Sequence, residues 1–169
     1  MTTIERTEPP VTGPEREMLR AFLDFHRDTL AMKCEGLSDD QLRLQSSPPS
    51  TLSLLGLVRH MAEVERTWFR RVINGEDLPL VWSDSGDYQA AYDAAGASVA
   101  DAFRAWRTEV EHSRRIERAA ASLDVTGYQQ QWGEDVSLRL VMYHLMHEYA
   151  RHNGHADFLR EAIDGAVGA

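Results

Sequence analysis

At 169 residues, 43% hydrophobic and 27% charged, the chain has the size and balance of one globular domain with a real core. Its net charge of −9 argues against a nucleic-acid partner, and no apolar run approaches the roughly 20 residues that span a bilayer. Cys34 is the only cysteine, which excludes a disulfide framework and a thiolate zinc site. Lys33 is the only lysine, an arginine bias typical of GC-rich bacterial genomes. The first residues lack an apolar signal core, so a cytoplasmic location is expected by default.

Residues 1–13 are polar, with Pro9-Pro10 and Gly13, and read as a flexible N-terminal arm ahead of one domain over 14–169. Pro14, Glu15 and Glu17 open a first helix that carries Leu19, Phe22, Leu23, His26 and Leu30 at helical steps and ends near Gly36. Ser38 caps a short turn of helix, and Pro48-Pro49 marks a connection. A second helix starts at Ser53 and stops at Asn74-Gly75. Its apolar side is Leu54, Leu57, Val58, Met61, Val64, Trp68 and Val72, with His60 on the border. Residues 76–86 read as a polar loop whose Trp82 folds back on the body. A third helix is expected from Tyr88 to about Ala121, broken or bent at Gly96. Residues 123–135 read as a small hairpin or an irregular crossover; the pattern does not choose.

The last stretch, Ser137 to Asp164, reads as one long helix. Leu138, Val141, Leu145 and Leu159 fall on one face, and Glu148 and His152 lie between them, with His155 at the margin. An ionised carboxylate buried without a partner costs several kcal/mol, so its place in an apolar stripe needs compensation. Four helices with almost no strand signal imply an all-α four-helix bundle, whose metal sites are built from inward side chains of neighbouring helices.

Glu148 and His152 stand one turn apart, so both can reach one ion. His60 on the second helix would complete a set of two imidazoles and a carboxylate. That set suits zinc with an open position, or the facial triad of non-haem iron; nickel or cobalt would also fit. The competing reading makes His152 a hydrogen-bonded core histidine and pairs Glu148 with an arginine such as Arg59 or Arg104. His144 could flank the site, His147 points outward, and His112 is solvated. Asp157 and Arg160 make surface ion pairs. Cys34 is a small apolar filler. Trp68, Trp106 and Trp132 are packing residues, one of which could line a cleft.

GLVRHMAEVERTWF in the second helix and HEYARHNGHADFLREAIDG in the fourth resemble the DinB superfamily, and more closely its actinobacterial mini-circle protein branch with the maleylpyruvate-isomerase-like proteins. The resemblance covers about residues 15–165. It implies a four-helix bundle, often a homodimer, with a divalent metal held by His60, Glu148 and His152. Many DinB proteins have a histidine at the middle ligand; the similar mycothiol-dependent isomerases have a glutamate there, as here. The resemblance also implies a metal-dependent S-transferase or isomerase that joins a small electrophile to mycothiol or a similar thiol, with no nucleic acid and no membrane. His144, Arg151 and His155 are then candidates for orienting the ligands. The alternatives are a non-enzymatic metal-binding module and a zinc-dependent hydrolase.

Overall fold

The structure, a computed structural model, describes residues 6–168. Helix α1 spans Glu15–Cys34, a short α2 Asp39–Arg43, α3 Leu54–Glu65, α4 Val99–Ala119 and α5 Leu138–Asp164. Two short strands, β1 (Thr126–Gln129) and β2 (Glu134–Ser137), form an antiparallel hairpin between α4 and α5. The residues 123–135 left open by the sequence pattern are therefore largely this hairpin. The expected arm falls partly outside the described residues. Within them, Arg6 lies over the Phe25 ring and donates to Thr29 Oγ1 at 3.3 Å.

The helix ends follow local chemistry. Ser38, Ser53, Ser98 and Ser137 each accept from a backbone N–H in the first turn of α2, α3, α4 and α5, satisfying donors that the helix itself leaves unpaired. Gly165, with φ of 78°, ends α5 in the left-handed conformation that favours glycine. The third long helix begins at Val99 rather than at Tyr88. Asp87 caps only a single tight turn over Tyr88–Ala91, and Ser98, beyond Gly96, supplies the true cap.

After Glu65 the second helix widens into a π-helical stretch, Arg66–Ile73, where the Asn74 N–H reaches back to Phe69 O. The sequence pattern anticipates an unbroken α-helix here. The wider turn keeps Trp68, Phe69 and Val72 buried while Arg66 and Arg70 both reach the buried Glu109.

Side-chain pairs give the helix directions. Arg139 meets Glu15 at one end of the bundle and Arg160 donates to Lys33 O at the other, so α1 and α5 run parallel. Arg16 and Arg20 clasp Glu117 while Asp24 meets Arg114, so α4 is antiparallel to α1. His60 faces His152, and Trp68 faces His144, so α3 is antiparallel to α5. It follows that α3 and α4 run parallel and need a long crossover, residues 74–98. The predicted inward residues of α3 and α5 are buried, including Leu57, Met61, Trp68, Leu138, Leu145 and Leu159.

The crossover is tied to α3. The buried Glu63 carboxylate accepts the Val81 and Trp82 N–H groups at 2.9–3.3 Å. The Trp82 indole donates to Arg59 O at 2.9 Å, and the Arg59 guanidinium lies over that indole and donates to Ala90 O and Ala91 O.

Candidate metal centre

Mid-bundle, α3 and α5 bring three side chains together. Glu148 Oε2 lies 3.4 Å from His60 Nε2 and 3.5 Å from His152 Nε2. One ligand atom from each residue can be chosen so that all lie within 4.8 Å of one another. Position 148 sits one turn before 152, so the α5 pair arises from helix periodicity alone. The antiparallel packing of α3 supplies the third group from 88 residues away.

His152 is buried, while His60 and Glu148 are half-buried. Contacts with the imidazoles of His152 and His60 hold the Glu148 carboxyl well below the usual carboxylate range. The alternative arginine partners are engaged elsewhere. Arg59 serves the crossover, and Arg104 pairs with Asp101 on the surface of α4.

Neighbouring residues orient this group. His155 Nδ1 lies 3.3 Å from His152 Nδ1. Were His152 Nε2 given to a cation, its Nδ1–H would donate to His155 and fix the ring. Burial lowers the pKa of His155, with His152 and Arg151 adding to the effect. His144 Nε2 lies 3.8 Å from Glu148 Oε1, and burial lowers its pKa too. The Trp68 ring is 4.2 Å from His144 and Trp132 is 6.2 Å from it, so two of the tryptophans line the flank of the site. Arg151 is exposed and among the described residues makes no hydrogen bond to the three; it acts on Tyr92 and His155 only through its charge.

Tyr92 was not foreseen from the sequence. Its ring stacks on His60 at 4.8 Å with the planes 19° apart and lies 6.4 Å from His152. Burial, with the Glu148 charge, pushes its phenol up to about 12. No spacing could reveal it, because it comes from the crossover that Arg59 and Glu63 hold down. His147 is exposed and His112 half-buried. Cys34 is buried and its thiol is pushed up to about 12 by burial, as expected of a filler.

A model of the mycothiol-S-transferase family matches residues 18–165. The chain belongs to the mycothiol-S-transferase family. The match covers nearly the whole bundle and both helices of the candidate centre, and the family is DinB-like. Membership makes the chain a mycothiol-related, metal-dependent type of protein, consistent with the His60, Glu148 and His152 group. No curated protein matches the chain. Among the described residues, no helix is long and apolar enough to cross a membrane.

Proposed function

We propose that the protein is a metal-dependent thiol S-transferase that joins mycothiol to a small electrophile, with His60, Glu148 and His152 holding one divalent cation. The observation that carries this reading is the meeting of two imidazole nitrogens at one carboxylate oxygen that, among the described residues, pairs with no guanidinium. Two nitrogens and one oxygen are the donor set of an open zinc site, so zinc is the first expectation; nickel, iron or cobalt suits the same donors. Glu148, already held in its charged form, needs no deprotonation to serve as a ligand.

A divalent cation held there would stabilise the thiolate of a bound thiol at neutral pH. The chain supplies the rest. His155 holds the His152 ring in its tautomer, and Tyr92 packs the His60 ring in place. Trp68 and Trp132 shield one side from water. The thiol proton leaves to solvent. The sulfur then forms a bond to the electrophilic carbon, and the leaving group departs with its electron pair. No cysteine of the chain takes part, in keeping with the buried Cys34, whose thiol is kept protonated by burial.

Two measurements test the reading. The first is metal content of the protein as purified, beside His152→Ala. Stoichiometric metal that is lost in the variant supports the ligand set; equal metal in both removes His152 from it. The second is mycothiol conjugation to monochlorobimane, with and without added metal. Turnover that a chelator abolishes and metal restores is expected. A metal-loaded protein inactive with every bacterial thiol would favour the non-enzymatic metal-binding module.

A further inference from the structure

A cavity of about 600 Å³ opens along the π-helical stretch, and none of the three proposed ligands lines it. Its walls are the π-helical end of the second helix, the crossover over residues 75–88, and the hairpin at 128–131. Thr67 and Gln131 line the cavity, and the next residue after each, Trp68 and Trp132, stands against His144. Thr67 is seven positions from His60, which is roughly 10 Å along a helix.

The lining is polar, and some of its groups are unspent. The Thr67 hydroxyl is buried and, among the described residues, has no hydrogen-bond partner. Buried polar atoms are nearly always paired, so this one marks a place for a ligand or water. Three carboxylates, Glu76, Asp77 and Asp84, line the cavity with one guanidinium, Arg71. Arg70 takes up Glu76, while Asp77 and Asp84 make no ion pair among the described residues. Carboxylates accept from hydroxyl groups and repel anions. Tyr128, 59% exposed, offers a flat apolar face with a polar tip, the shape that packs on a sugar ring.

We infer that this cavity binds a neutral polyhydroxylated group. Resting on the thiol-transfer reading above, that group is the glucosaminyl-inositol tail of mycothiol, held while its sulfur lies at His60, Glu148 and His152. The acidic rim then selects against thiols whose tails carry carboxylates, such as glutathione.

The test has two arms. In the first, N-acetylglucosaminyl-inositol, which keeps the uncharged amide of the tail and has no thiol, is titrated into the full chain and followed by amide chemical shifts. Saturable shifts centred on residues 83–88 and 128–131 are expected, with affinity weakened about tenfold in a Tyr128→Ala, Asp84→Asn variant. In the second, kcat/KM is compared for mycothiol and for N-acetylcysteine, which lacks the tail. The preference for mycothiol is expected to fall about tenfold in the same variant, through KM. Both substituted side chains are exposed, so the fold should survive; circular dichroism checks this. Flat titrations, or a loss equal for both thiols, would overturn the cavity assignment. If mycothiol is turned over but the tail does not bind, the cavity assignment falls and the transferase reading stands. If the tail binds at these amides and no thiol is turned over, the reading falls and the cavity stands.

Discussion

The Tyr149 hydroxyl donates to Glu65 Oε1 at 2.7 Å, in the middle of the bundle and one residue along from Glu148. The Trp106 indole donates to the same hydroxyl at 2.8 Å, and Arg27 grips the Glu65 carboxylate at 2.8 and 3.0 Å. One buried chain of polar contacts thus joins α1, α3, α4 and α5. Burial and the Glu65 charge push the Tyr149 phenol well above its usual value, so it remains a donor. Because Tyr149 fixes the rotation of α5, it also fixes where Glu148 and His152 point.

Tyr149→Phe keeps the ring and removes the hydroxyl. The Glu65 carboxylate loses one donor, and the Trp106 N–H loses its acceptor. A hydrogen bond to a charged group contributes about 1.5–3 kcal/mol, so the midpoint of thermal unfolding should fall by roughly 4–10 °C. An unchanged midpoint would mean that water replaces the hydroxyl at no cost.

His155→Ala tests the support of the proposed centre. It leaves the His152 Nδ1–H without its partner and frees the ring to turn. Loss of such a partner weakens metal binding about 10- to 100-fold. Competition with a chromophoric chelator measures this. Undiminished affinity would show that His155 does not orient His152.

Acid stability should report on Glu117. Burial alone would raise the pKa of this carboxyl, but Arg16 and Arg20 outweigh it, and the net shift is downward from 4.5. A depressed folded pKa contributes stability that is present above the unfolded value and is lost as pH falls through the folded one. Urea unfolding between about pH 6 and 3 should therefore show wild-type stability declining below about pH 4.5, and a shallower decline in Glu117→Gln. Parallel curves for the two proteins would remove Glu117 as a source of that slope.

Gly127 in β1 lies against the π-helical stretch. A Cβ there would come within 2.0 Å of Val72 O and 2.6 Å of its carbonyl carbon, both backbone atoms that cannot swing aside. Gly127→Ala should cost about 2–3 kcal/mol and lower the thermal midpoint by roughly 5–10 °C. The change should also loosen Trp132, which the hairpin carries to His144. A red shift of tryptophan emission would follow it, whereas an unaltered spectrum and midpoint would mean that the hairpin yields freely.

Much of this arrangement was legible in the sequence, for a physical reason. Apolar periodicity, serine caps and a terminal glycine are local signals, and they placed α1, α3 and α5. The i,i+4 spacing of Glu148 and His152 is local too, and His60 followed from its place at the edge of the α3 stripe. What escaped depends on distant partners. Arg27, Glu65, Glu109 and Glu117 carry no local signal that sets them apart, yet they are buried because each meets an opposite charge on another helix. The π-helical turn answers to Glu109, and Tyr92 reaches His60 only through the folded crossover. The start of α4 was misplaced because Gly96 and Ser98 outweigh the helical look of the residues after Tyr88.

The crossover bound by Glu63 and Arg59 has a kinetic meaning. The same helix that contributes His60 also pins the segment bearing Tyr92 and part of the cavity wall, so both surfaces exist before any ligand arrives. Capture should then proceed without a preceding ordering step: observed association rates would rise linearly with ligand concentration instead of reaching a plateau.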